Sequence, residues 1–206
     1  MDNLGATTTQ SISITIYSTP AQVLFSDNFT NFTNWMVIDN GNTEGPSNWT
    51  VSNGEVIQLS NIWDGVDIPS NIAKFGTYAL TGNASWQDYD VSLRVMSEDN
   101  DELGIMFRYQ DSNNYYRFSL DTERHYRRLV KFVNGTPTVL VEDAVRYELG
   151  QSYNIRVSVK GNTISMYVGE QLILQTTDTS LTAGKIALYC WGDQDAHFAN
   201  VLVTTN

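Results

Sequence analysis

The sequence lacks most of the features that would mark a membrane, nucleic-acid-binding or disulfide-rich protein. Its single cysteine, Cys190, cannot form an internal disulfide and lies in the apolar run 186–191, where a thiol behaves as a small hydrophobe. No apolar stretch approaches the roughly 20 residues needed to span a bilayer. Lys and Arg together number 12 against 23 Asp and Glu, giving a net charge of -11. This charge excludes nucleic acid, because phosphate neutralisation needs a dominating basic surface.

Charged residues are scarce at 17%, while hydrophobic residues make up 41% and Thr, Ser and Asn fill much of the rest. This composition is typical of extracellular β domains. The first residues lack the basic and apolar parts of a signal peptide, so we expect a domain excised from a larger chain. The acidic balance favours a bacterial protein that is extracellular or attached to the cell surface.

Short apolar-alternating segments separated by Gly, Asn and Asp predict an all-β antiparallel sandwich without a long helix. The pairs 134–135, 161–162 and 169–170 carry the turn residues that β-hairpins need, since these residues tolerate a positive φ. The clearest predicted strands span 89–96, 103–109, 115–121, 127–133, 138–142, 152–159, 163–168, 171–176, 185–191 and 196–204.

The chain divides into an N-terminal extension or linker strand at 1–22 and a sandwich domain at 23–206. Ile12, Ile14 and Ile16 alternate as in a strand, which Pro20 stops. This segment is an extra edge strand, the tail of a preceding domain, or a strand at 6–19 that pairs with a neighbouring molecule. Pairing between molecules would make the chain a structural or adhesive surface domain.

Seven segments resemble the concanavalin A-like lectin/glucanase superfamily, in particular its laminin-G-like and carbohydrate-binding-module branches. They span 24–29, 89–95, 103–109, 113–118, 151–157, 184–188 and 198–203. The resemblance implies a two-sheet antiparallel jelly-roll sandwich whose first and last strands pair, here with an extra N-terminal strand. The partner that it implies is a poly- or oligosaccharide.

The superfamily also contains glycoside hydrolases and polysaccharide lyases, but their strand motifs are absent. There is no Glu-x-Asp-x-x-Glu, Arg-Ser-Glu-Leu-Arg or Gln-Ile-His, and the acidic cluster at 98–102 lies between strands. His125 beside Tyr126 is the one arrangement that could support proton abstraction. We therefore predict a non-catalytic carbohydrate-binding module, with a lyase or hydrolase of the same fold as the alternative.

Half of the basic residues fall between positions 108 and 131. The planar fork of arginine grips a carboxylate or sulfate through two parallel hydrogen bonds, so this concentration predicts an acidic polysaccharide as ligand. Strand alternation would place Arg108 and Arg117 on one open concave face. The residues that would extend this strip are Arg124, Tyr126 and Arg128. The alternative is that these arginines only form surface ion pairs with nearby acids.

Sugar sites also need flat aromatic faces, on which the C–H surface of a sugar ring is buried. Tyr189 and Trp191 share one face of their predicted strand, and Trp63 lies in a loop. Related modules hold a structural calcium near the paired first and last strands. The resemblance thus implies Asp27 with Asn200 as one calcium site, and the loop of Asp193 and Asp195 offers the oxygen ligands for another.

Overall fold

The computed structural model describes residues 20–68 and 70–206, and in these ranges every regular element is a β-strand. No helix there is long and apolar enough to cross a membrane. The predicted strand and docking segment at 6–19 lie outside the described residues. The strands are β1 Val23–Asp27, β2 Met36–Asp39, β3 Trp49–Ser52, β4 Glu55–Gln58, β5 Thr77–Thr81, β6 Tyr89–Ser97, β7 Glu102–Asp111, β8 Asn114–Asp121, β9 Tyr126–Val133, β10 Thr136–Asp143, β11 Tyr153–Lys160, β12 Thr163–Val168, β13 Gln171–Thr177, β14 Lys185–Trp191 and β15 Ala196–Thr205.

The strands form two antiparallel sheets. The eight-stranded sheet has the order β13-β12-β11-β6-β15-β4-β3, with β1 also pairing β15, and the seven-stranded sheet has the order β10-β9-β8-β7-β14-β5-β2. The register of β1 on β15 runs from Val23 opposite Thr204 to Asp27 opposite Val201. The predicted two-sheet antiparallel sandwich, with its first and last strands paired, is therefore confirmed.

The core between the sheets follows from period-two alternation. Every second residue of β6 from Tyr89 to Val95 is buried, and the residues between them are only half-buried. These side chains belong to one apolar cluster with Leu188 of β14 and Phe198 of β15. Alternation thus gives the eight-stranded sheet one buried face and one outer face.

The central strands of the seven-stranded sheet are instead buried on both faces. In β14, Leu188 packs into the core between the sheets, while Tyr189 and Trp191 pack into a second apolar cluster on the opposite face. This cluster is covered by residues 61–68 and 70–76, which we call the covering segment. Its apolar side chains on the sheet are Trp63, Ile72, Ala73 and Phe75. The expectation of an open face over this part of the sheet is therefore wrong.

Asp193 is a fully buried carboxyl group in the turn between β14 and β15. Its Oδ1 accepts a hydrogen bond from the Ser97 hydroxyl at 2.7 Å and from the backbone N–H of Asp195 at 3.3 Å. Burial raises the pKa of Asp193 well above its ordinary value, and the nearby carboxylates of Asp99 and Asp101 add to this shift. Asp193 therefore keeps its proton in the folded state at pH values where the unfolded chain has lost it.

Truncating a core leucine should destabilise the fold far more than truncating an exposed one. Leu188 is fully buried, whereas Leu172 of β13 is 46% exposed. We expect Leu188→Ala to lower the free energy of unfolding by about 2–5 kcal/mol, because the lost side chain leaves a cavity. Leu172→Ala should lower the free energy of unfolding by less than about 1 kcal/mol, because truncating an exposed side chain leaves no buried cavity. Urea unfolding of both variants measures this, and equal losses would contradict the core assignment.

Asp193 should make stability fall as the pH rises above the ordinary pKa of an aspartate, because the folded state then holds a proton that the unfolded chain has released. Asp193→Asn mimics the protonated carboxyl group, so we expect its free energy of unfolding to fall less over the same range. Urea unfolding at several pH values measures the slope. Asp111→Asn, at an exposed turn, is the control that should keep the original slope. If Asp193→Asn leaves the slope of the free energy of unfolding against pH unchanged, the titration of Asp193 is not responsible for that slope.

Candidate functional site

A small pocket of about 120 Å³ opens at the end of the seven-stranded sheet, where β14 ends and β7 begins. Its floor includes Trp191, the last residue of β14, and Gly192, whose φ of 66° suits glycine. A Cβ at Gly192 would lie 3.0 Å from Asp101 Oδ2, so glycine keeps the pocket clear on this side. The remaining lining residues are Asn61, Trp63, Asp67, Asp101, Glu123 and Arg124.

The strand register explains why these residues meet. Trp191 of β14 lies opposite Glu102 of β7, which lies opposite Asp121 of β8, which lies opposite Tyr126 of β9. These four side chains form one row at the end of the sheet. The loops that leave this row carry Asp101, Glu123, Arg124 and Gly192, so all of them reach the same corner of the molecule.

Arg124 is the cation of the pocket, and its charge is already compensated. It donates hydrogen bonds to Asp67 and Asp101, both at 2.7 Å, and to Asp121 at 3.2 Å. Glu123 lies 3.2 Å from the same guanidinium group. Desolvation opposes the charge, but the carboxylates of Asp67, Asp101 and Asp121 outweigh it and raise the pKa of Arg124, so it stays charged. The pocket thus presents more acceptor oxygens than free donors.

Trp63 supplies the aromatic surface of the pocket. Its ring meets Trp191 edge to face, with 5.7 Å between the centroids. Trp191 is only 2% exposed: its Nε1 donates to Asp64, and the cations Lys74 and Arg124 lie over its ring. Trp63 is partly exposed, while its buried Nε1 has no hydrogen-bond acceptor among the described residues. Trp63, not Trp191, is therefore the ring that a ligand in the pocket can reach.

A buried ionic layer supports the pocket from below. The guanidinium group of Arg117 lies 3.3 Å from Glu102 and donates to the carbonyl groups of Ile72 and Ala73 in the covering segment. Tyr126 donates to Glu102 at 2.7 Å. Lys74 is 2% exposed, and desolvation lowers its pKa although Glu102 and Asp121 oppose this effect. These groups fix the covering segment and do not face solvent.

The predicted cationic strip does not form. Arg108 has a φ of 44° at a bulge in β7, so alternation breaks there and its side chain turns away from the sheet face. It donates instead to the carbonyl groups of Gln87, Leu181 and Gly161. Arg117 is buried under the covering segment. The prediction that Arg108 and Arg117 share an open face is therefore wrong.

The other predicted ligand residues divide into two groups. Tyr126 and Tyr189 are buried, the latter with its hydroxyl donating to the carbonyl oxygen of Lys74, and this contradicts their exposure. Arg128 lies over the Tyr126 ring and pairs with Glu142, so it forms the surface ion pair foreseen as the alternative. The structure brings together Trp63, Arg124 and Trp191.

His125 is exposed while Tyr126 is buried, so these two do not form the pair that proton abstraction would need.

The side chains predicted as calcium ligands lie at two separate places, and Asp27 and Asn200 line one depression. Asp27 accepts from the backbone N–H of Phe29 and from Trp35 Nε1, and no second carboxylate lines the depression that it shares with Asn200. Asp193 is buried, as described above, and Asp195 contacts His197. Across residues 20–68 and 70–206, no three His, Cys, Asp or Glu side chains are arranged to hold a metal ion. Calcium also takes amide and backbone carbonyl oxygens, which are outside this set of side chains, so its binding at either place stays a prediction.

Five of the lining residues were not predicted as ligand residues: Asn61, Asp67, Asp101, Glu123 and Gly192. The sequence shows Asp67 and Asp101 only as members of two separate acidic loops. Residues 98–102 come directly before a predicted strand, and the strand beside it in the sheet ends at Trp191, which would have indicated that the acidic loop lies near Trp191. This signal appears only once the strand order is known.

Comparisons with known proteins identify the family of the chain and the proteins that it resembles. Residues 20–204 match the family described as 3-keto-alpha-glucoside-1,2-lyase-like domain. The levanase of Bacillus subtilis (strain 168) is 25% identical over 130 residues, which are 61% of this chain and 19% of the levanase. An extracellular exo-alpha-L-arabinofuranosidase of Streptomyces chartreusis is 26% identical over 129 residues, 62% of this chain and 14% of that protein. The chain thus spans less than a fifth of either relative.

Among solved structures, the carbohydrate binding module CBM66 from Bacillus subtilis superposes with a TM-score of 0.67 at 20% identity. The match covers 85% of this chain and 98% of the module. This likeness confirms the predicted concanavalin A-like jelly roll. The relatives support a carbohydrate-binding or glycosidase-related function. Because the family match extends over nearly the whole chain, the chain belongs to the 3-keto-alpha-glucoside-1,2-lyase-like domain family.

Proposed function

We propose that the chain is a non-catalytic module that binds the terminal unit of a neutral polysaccharide and holds a larger extracellular protein on it. The observation that carries this proposal is the pocket beside Trp63, where an arginine already compensated by carboxylates lies next to a partly exposed indole ring. A sugar ring packs on a flat aromatic side chain while its hydroxyl groups donate to carboxylates and accept from arginine.

The charge balance of the pocket favours a neutral sugar over the acidic polysaccharide suggested by the sequence. Arg124 is surrounded by Asp67, Asp101, Asp121 and Glu123. A uronate or sulfate group would meet these carboxylates and would have to displace one of them from the guanidinium group. Like-charge contacts of this kind oppose binding.

The volume of the pocket and the lengths of the relatives refine the proposal. About 120 Å³ suits one sugar unit rather than a chain. The two curated relatives are named for levan and for L-arabinofuranose, and the chain corresponds to less than a fifth of each. Levan and arabinan are therefore the neutral polymers to test first, with the chain acting as one part of a longer protein.

Trp63→Ala should lower the affinity for the bound neutral polymer at least about tenfold, because the sugar loses its apolar contact. Trp63→Phe should retain more affinity than Trp63→Ala. Isothermal titration with levan and arabinan measures both, with alginate as the acidic comparison. Failure of the unaltered chain to bind any neutral polymer, or preference for alginate, would overturn the proposal.

Asp67→Asn offers a finer test of the carboxylates. Asp67 is 52% exposed and contacts Arg124, so its amide variant frees part of the guanidinium group and removes an acceptor. We expect weaker binding of the neutral polymer and a gain for alginate. Asp111→Asn, an exposed aspartate at the turn between β7 and β8, is the matched control and should change neither. Identical titrations for the two variants would contradict the role of the pocket.

One observation favours a second function, a lyase or hydrolase. Burial raises the pKa of Asp101 to about 6 although Arg124 opposes the shift, and a carboxyl group with such a pKa in a pocket suits acid–base catalysis. Incubation of the chain with each polymer and with 3-keto-glucosides, followed by detection of new reducing ends, tests it. Turnover that disappears in Asp101→Asn, with binding retained, would establish the enzyme and displace the module.

A further inference from the structure

The outer face of the eight-stranded sheet carries a groove on the side of the sandwich away from the covering segment. It consists of two depressions, of about 370 and about 410 Å³. They share Asn200 and Leu202 of β15, so they are continuous. The first extends over β6 and β11 to the turn at Gly169, and the second extends to the end of β1 at Asp27.

The strand register shows how the groove arises. Leu202, Ser92, Arg156 and Tyr167 lie in one row across β15, β6, β11 and β12. Arg94 and Asn154 lie opposite each other in the next row. Because the side chain of Ser92 is small, the first row forms a depression at this residue. The irregularity of β15 between Ala199 and Leu202 interrupts the surface beside it.

The groove therefore runs across the strands rather than along them. Its walls come from β11, β6, β15 and β1, and the turn between β12 and β13 closes one end. With strands spaced about 4.8 Å apart, the groove is roughly 20 Å long. This length accommodates several consecutive units of an extended polymer, in contrast to the pocket at Trp63.

The chemistry of the groove suits a chain rich in hydroxyl groups. Arg156 stacks on Tyr167 at 3.7 Å and pairs with Asp90 at 3.1 Å, and Arg94 pairs with Glu55. Both guanidinium groups remain about a third exposed, so they can donate to a ligand while their charges stay compensated. A polyanion would find both guanidinium groups of the groove already paired, while Leu202, the exposed apolar side chain that the two depressions share, offers a surface for the C–H face of a sugar.

We infer that this groove is a second carbohydrate site, which binds an internal stretch of a neutral polysaccharide. The ligand class rests on the proposed function, but the site is separate from the pocket and lies on the other sheet. On a branched or insoluble polymer, neighbouring segments fill both sites. Binding at one site then raises the effective concentration at the other, which slows dissociation.

The test fills the groove without removing any side chain of its ion pairs. Ser92→Tyr places a ring in the first row, while Ser158→Tyr places the same ring on the same face, one row beyond the groove, in the row of Asp90. The probe is whichever of levan and arabinan the unaltered chain binds, in its polymeric form and as short oligosaccharides. We expect Ser92→Tyr to weaken polymer binding at least about tenfold and to leave binding of short oligosaccharides unchanged. Ser158→Tyr should leave both unchanged.

The outcomes separate the two sites. Trp63→Ala should abolish binding of short oligosaccharides and leave residual binding to the polymer. Equal polymer affinity of Ser92→Tyr and Ser158→Tyr overturns the groove and leaves the pocket standing. No binding of any neutral polymer by the unaltered chain overturns both. If Ser92→Tyr does not fold, Asn154→Ala, which removes an exposed amide from the groove, replaces it, and an unchanged polymer affinity then overturns the groove.

Discussion

The buried ion pair between Arg117 and Glu102 holds the covering segment on its sheet. Removing one partner of such a pair leaves an uncompensated charge in the interior, which costs about 3–5 kcal/mol. The pair is tied to the segment through the carbonyl groups of Ile72 and Ala73, and the hydroxyl group of Tyr189 donates to Lys74 nearby. Trp63 and Asp67 belong to the same segment, so the pocket exists only where this ionic layer is formed.

The basic residues of the chain illustrate the difference between composition and surface charge. Their concentration between positions 108 and 131 indicates a cationic surface, but Arg127, Arg128 and Lys131 each pair with a carboxylate. Each acid is supplied by an adjacent strand or by a distant loop, so the pairing depends on strand order. What remains is a compensated surface whose arginines serve as hydrogen-bond donors.

Most of the fold could be predicted from the sequence. The ten predicted strands correspond to β6 to β15, because alternation and hairpin turns are local signals; the predicted strand at 127–133, for example, is Tyr126–Val133. The list of predicted strands does not include β2 to β4, because these strands of four residues each carry too few residues for a periodic signal. The position of Arg108 was unpredictable because a bulge reverses side-chain direction without marking the composition. The pocket was only partly predictable, since Asp101 and Asp67 meet Arg124 through long-range contacts.

The pairing of β1 with β15 places the start of β1 and the end of β15 at the same end of the domain. β15 starts beside the turn at Asp193, close to the Trp63 pocket, and its ten residues carry the chain roughly 30 Å away, where Thr204 lies opposite Val23. Polypeptide on either side of the domain therefore leaves from neighbouring points at the far end. In a longer protein, the linkers would attach at the end of the domain opposite the Trp63 pocket, so the pocket would face away from the rest of that protein.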